Sequence, residues 1–148
     1  MNEKTNLIAP CGLACGACPL FLAQDNPKLA EALAQALNRS IEDVPCAGCR
    51  ALDGKPISIS GGQVCNTYAC IEEKGHAYCY ECDQFPCDNL TPCTDQALRL
   101  PHNLKVYNLV LLQKEGVDEF MKHAARRLNR FYKGKLTLGG PVKEPNKE

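Results

Sequence analysis

The chain has 148 residues, 17 basic and 17 acidic side chains, a formal net charge of zero and 11 cysteines. That length makes one ordinary domain, or one domain with a short appendage. Trp is absent and only four Phe and five Tyr are present, which excludes a large aromatic core and calls for a staple of disulfide or metal.

Nothing in the opening MNEKTNLIAP reads as a secretory signal. The longest apolar run, Leu109 to Leu112, is far too short to cross a membrane. The expected location is therefore the cytoplasm, where thiols stay reduced, and an odd cysteine count also fits poorly with closed disulfides. Metal ligation is the expected role of the cysteines. Eight ligating thiolates offset by two divalent ions would make the chain more negative by roughly four charges, a poor start for a nucleic-acid binder.

Three regions follow in chain order. Residues 7–93 hold every cysteine, 94–132 hold none and read as helical, and 133–148 read as a flexible polar tail. Within the first region Asn26 is placed to cap a helix that opens on Pro27, with Leu29, Leu33, Ala36 and Leu37 along one face. Asp53-Gly54 is a tight-turn signal, and Ile57 and Ile59 alternate with serines before Gly61-Gly62, which predicts a short hairpin or irregular loop. Thr91-Pro92-Cys93 reads as the opening of a short helix ending near Leu98.

Further on, Pro101 can begin a helix over 102–115 and Gly116 can end it. A second helix carries Val117, Phe120, Met121, Ala124, Leu128 and Phe131 on one stripe. Acidic Asp118 and Glu119 lie at its start and Arg126, Arg127 and Arg130 near its end, as the helix dipole favours. The fold class predicted is α+β: a small metal-stapled cysteine-rich domain of short helices and hairpin segments, with a C-terminal helical hairpin packed on it.

The cysteines fall into blocks: Cys11, Cys15 and Cys18; Cys46 and Cys49; Cys65 and Cys70; Cys79, Cys82 and Cys87; and Cys93 apart. Two residues between cysteines allow both sulfurs to reach one ion while turn N–H groups donate to them. Three such pairs, Cys15/Cys18, Cys46/Cys49 and Cys79/Cys82, point to tetrahedral thiolate sites, each built from two pairs. Cys11, Cys15, Cys18, Cys46, Cys49, Cys65, Cys70, Cys79, Cys82 and Cys87 are the candidate ligands, for one or two zinc ions.

An iron–sulfur cluster takes the same four thiolates and stays open as the alternative. The Cys11–Cys18 spacing also matches the cluster motif of radical S-adenosylmethionine enzymes, but the chain lacks the length and the strand–helix repeats of their barrel. His76, three residues before Cys79, is a lesser ligand candidate. A zinc deaminase is not indicated, because no His-x-Glu element accompanies a Pro-Cys-x-x-Cys block. His102 and His123 have no cysteine near them in sequence. Cys93 is the spare thiol, read as inert rather than catalytic. Arg126 to Lys135, interleaved with Phe131 and Tyr132, reads as a solvated, dipole-matched helix end before it reads as an RNA contact.

The order C-G-L-x-C-x-x-C-P at 11–19, C-x-G-C at 46–49 and E-K-G-x-x-x-C-x-x-C-x-x-F-P-C at 73–87 resembles the cysteine-rich prokaryotic domain-of-unknown-function 3795 family. The resemblance spans residues 8 to about 90 and implies bound zinc, with no established activity attached. Cys65-x4-Cys70 is wider than the paired arrangement of the family, and the further cysteine pair that can end longer members is replaced here by the polar tail. The reading is a zinc-binding structural module serving as an interaction or regulatory accessory protein. The rivals are an iron–sulfur electron-transfer protein and a thiol-based redox or metal-sensing protein. Protein partners remain open; nucleic acid and membrane are not expected.

Overall fold

The computed structural model describes residues 3–145. It is helical. Among the described residues there are six α-helices, α1 (Glu3–Asn6), α2 (Pro19–Leu22), α3 (Pro27–Leu37), α4 (Ile57–Ser60), α5 (Asn66–Lys74) and α6 (Lys105–Lys133), with one 3-10 turn in each of the first three connections, none between α4 and α5, and three between α5 and α6. No sheet forms among the described residues, where one isolated antiparallel bridge joins Lys135 to Lys143. The α+β expectation is therefore corrected to an all-helical, loop-rich fold.

The strand reading failed at Ile57–Ser60 for a definite reason. Four alternating residues fit a single helical turn as well as a strand, so so short a run cannot fix the period. The segment is α4, closed by Ser60 N–H and Gly61 N–H donating to Pro56 and Ile57 carbonyls at 2.8 and 3.0 Å. It also faces opposite to the alternation: Ser58 is buried while Ile57 and Ile59 are about half exposed, at 52% and 48%. Asp53 and Gly54 do make a turn, with φ of 47° and 72°.

The insert helix forms as its sequence directs. Asn26 Oδ1 accepts from Leu29 N–H at 3.1 Å, Pro27 occupies the first turn, and Asn38 ends α3 in the left-handed conformation. Ala30 and Ala34 are its buried residues, with Leu29, Leu33 and Leu37 packed beside them, while Ala36 is exposed. The helix expected after Thr91 is absent. Cys93 lies in an irregular stretch that leads into turns, its N–H donating to Asn103 Oδ1 at 2.8 Å and its carbonyl accepting from Asn103 Nδ2 at 3.0 Å. A side-chain amide takes the place of helical bonds there.

The two helices predicted around Gly116 run together as α6 with a break. Gly116 adopts φ 77° and ψ 169°, a conformation costly for any residue with a Cβ. Arg127, on the second segment, reaches back to both carboxylate oxygens of Glu115 at 3.0 and 2.8 Å. Of the tail, residues 135–143 turn back through the single bridge, and Glu144 pairs with Arg126 at 2.9 Å. The last three residues of the predicted tail lie outside those described.

Two apolar clusters organise the chain. The larger joins Ile8, Ile71, Tyr78 and Leu90 of the cysteine-rich part to Leu109, Leu112 and Phe120 of α6. The smaller, around Leu20, Ala23, Ala30, Ala34 and Val44, packs α2 and α3 against the Cys46 loop. Gly12 shows how closely the halves approach. Its φ is 84°, a Cβ there would stand 2.8 Å from Leu109 Cγ, and its carbonyl accepts from Asn108 Nδ2 at 3.0 Å. Gly12→Ala combines left-handed strain with overpacking and is expected to cost about 2 to 4 kcal/mol, read as a lower urea midpoint.

Candidate metal-binding site

All 11 cysteines are free thiols, and they are not scattered. Cys15 opens a 3-10 turn (Cys15–Ala17), Cys18 precedes α2, and the Cys46–Cys49 loop lies against them, with Cys46 N–H donating to Leu20 carbonyl at 3.0 Å. Cys15, Cys18, Cys46 and Cys49 share the wall of one cleft. Cys70 on α5, Cys79 and Cys82 around the turn Cys79–Glu81, and Cys87 beyond the cis Phe85–Pro86 peptide share the wall of a second recess of about 240 Å³.

The first set is held by backbone donors. N–H groups of Leu20 and Phe21 point at the Cys18 sulfur, that of Gly48 at Cys46, and those of Cys49 and Ala9 at Cys15. Donors two residues beyond the cysteine, as at Cys18 and Cys46, lower the cost of a thiolate. Cys49 also donates its S–H to Cys15. That bond drives the Cys15 thiol below its ordinary range and holds Cys49 far above it. Burial raises Cys18 and Cys46.

The second set is more open and carries its own cation. Lys74 Nζ donates to Cys82 Sγ and to Gln84 Oε1, both at 3.1 Å. Cys79 is pushed up to about 12, first by burial and then by the neighbouring Cys11, Cys87 and Cys70.

Cys11 and Cys65, also ligand candidates in the sequence, line neither recess. Cys11 is buried within electrostatic reach of Cys15, Cys65, Cys49 and Cys79, so it lies between the sets, and burial raises it to about 11. Cys93 is exposed and apart. His76 faces Glu81 at 3.9 Å, and Glu81 in turn accepts the Ala77 N–H at 2.8 Å. Among the described residues, no three His, Cys, Asp or Glu side chains already converge at ion-binding range. The structure thus groups the sulfurs by wall and leaves them short of a closed coordination shell.

Two supporting residues escaped the sequence reading. Arg50 donates to the carbonyls of Ile8 and Ala77 and lies 5.1 Å over the Tyr78 ring, tying the first cysteine block to the third. Lys74 is visible in the E-K-G run, but spacing alone gives no sign that it turns towards a sulfur eight residues on. Tyr132, near the end of α6, donates to Arg99 carbonyl at 3.0 Å and is raised to about 12 by burial and then by Cys18, which brings the helix end to the first set.

Residues 7–92 match the profile of a family described as a protein of unknown function, DUF3795. The chain belongs to the DUF3795 family. No curated protein and no solved structure matches it. The DUF3795 match ends just before Cys93, so both four-cysteine sets lie inside it and the spare thiol lies outside. No helix among the described residues of this DUF3795 chain is long and apolar enough to cross a membrane.

Proposed function

We propose that the chain is a zinc-stapled structural module that serves as an interaction or regulatory accessory protein in a reducing compartment. The observation that carries this reading is the sorting of eight cysteines into two sets of four, each around one recess. In donor type the sets fit the metal. Each recess offers four thiols, the second also has Asp88 and Lys74 in its wall, and the first set has turn N–H groups aimed at its sulfurs. Cys15, Cys18, Cys46 and Cys49 would hold one ion, and Cys70, Cys79, Cys82 and Cys87 the other. Zinc held by four protein thiolates has no open position for substrate, so its contribution is to the fold.

Anaerobic purification followed by elemental analysis and an absorption spectrum tests this. Colourless protein with zinc in stoichiometric amount is expected. Brown protein with iron and visible absorption would move the chain to the iron–sulfur class, and metal-free folded protein would overturn both.

The thiol environments set a pH dependence. Cys18, Cys46 and Cys49 are raised and therefore protonated near neutrality, while Cys15 is lowered. Filling the first set at pH 7 then displaces a proton from each of these three and a fraction of one from Cys15, which is lowered to about 7, so apparent zinc affinity rises by between about three and four decades per pH unit. Acidification below pH 7 protonates Cys15 as well, so the slope steepens towards about four decades per unit. Chelator competition at pH 6, 7 and 8 reads it directly.

A further inference from the structure

The cleft that holds the first cysteine set is larger than an ion needs, at about 300 Å³, within the range of small-molecule sites. Its wall is mainly apolar, including Leu33, Leu37, Ile59, Leu104, Phe120 and Leu128. Ser58 and Asn108 belong to the same wall and are only 9% and 4% exposed. Ser58 Oγ and Asn108 Oδ1 have no hydrogen-bond partner among the described residues. The Asn108 amide is pinned, because its Nδ2 donates to Gly12 carbonyl at 3.0 Å. Turning it over would set two carbonyl oxygens against each other, so Oδ1 remains an unmet acceptor.

We infer that this cleft binds a compact, neutral, largely apolar molecule carrying a hydroxyl group. The wall carries groups of both signs, Arg99 and Arg127 beside four sulfurs, so a neutral molecule is the one that meets no mismatched charge. A cation would meet Arg99 and Arg127 in a wall that contains no acidic side chain among the described residues. An anion would meet four sulfurs and the Asn108 oxygen. The hydroxyl donates to Ser58 Oγ, which a methyl ether cannot do, and Asn108 Oδ1 is a second unmet acceptor of the same wall. Both oxygens are shielded by the wall, so engaging them takes a small local shift, and the hydrogen bonds they lack offset it. The inference stands on the cleft and its orphaned oxygens and does not depend on which metal the cysteines hold.

The test uses the full-length protein with its native metal, and 4-propylphenol and 4-propylanisole as probes, in ligand-observed NMR titrations. The phenol is expected to bind at least about tenfold more tightly than its methyl ether, the discrimination of a site built for a donor. Ser58→Ala removes a hydroxyl without a partner, so the fold should tolerate it, and it should bring the two probes to within about threefold. Leu33→Trp, at a half-buried position of α3, should fill the cleft and abolish both. Binding of neither probe at millimolar concentration, equal affinities in the wild type, a preference unchanged by Ser58→Ala, or full binding to Leu33→Trp would each overturn the inference. Should Leu33→Trp fail to fold, the Ser58→Ala comparison decides alone. Zinc content measured on the same samples separates this failure from a failure of the metal reading.

Discussion

Stripping the metal with a strong chelator is expected to unfold residues 7–93 while part of the α6 helix signal survives. The reason is the smallness of the apolar contribution in that region. The cluster under α2 and α3 is built largely on alanines, Ala23, Ala30 and Ala34, with Val44 its one fully buried branched side chain. Such a cluster buries too little surface to offset the ordering of long loops. The larger cluster draws three of its ten buried residues, Leu109, Leu112 and Phe120, from α6, so part of what the cysteine region packs on lies outside it. Structural zinc contributes about 10 to 16 kcal/mol per site at neutral pH, comparable to the whole stability of a domain this size. Circular dichroism with limited proteolysis should show cleavage throughout 7–93 after chelation, reversed by added zinc. An unchanged melting temperature after complete metal removal would contradict it.

Replacing single cysteines should remove ions by set. Cys49→Ala takes away the donor of the Cys15–Cys49 hydrogen bond and one of four ligands, and native mass spectrometry should count one ion fewer. Cys82→Ala, which also leaves Lys74 without its sulfur partner, should remove the other. Each loss should remove most of the stability of its half of the cysteine region, because the ion it releases contributes on the order of 10 kcal/mol. Cys93→Ala should lose no ion, and Cys93, exposed and outside both sets, should be the thiol that alkylates first in the metal-loaded protein. If Cys49→Ala and Cys82→Ala removed the same ion, the two-set division would be wrong.

The parts of the molecule readable from sequence were those with local causes. Asn26 and Pro27 fixed the start of α3 because a cap and a first-turn proline act within four residues. Gly116 marked the break in α6 for a similar reason, although the two segments follow on directly. The pairs Cys15/Cys18 and Cys46/Cys49 announced themselves by spacing, but spacing could not say which pair joins which. That depends on contacts across the fold, such as Cys46 N–H to Leu20 carbonyl and Cys49 S–H to Cys15. The strand reading of Ile57 and Ile59 failed because four residues fit both periods, and burial of Ser58 was decided by the cleft. Lys74 and Arg50 were hidden because a long cation's partner is chosen by tertiary geometry.

The most direct measurement is X-ray absorption at the zinc edge on anaerobically purified protein. The predicted result is a shell of four sulfurs at about 2.3 Å with no nitrogen or oxygen neighbour. A first shell containing nitrogen or oxygen, or no zinc at all, would contradict the assignment of two four-cysteine sites.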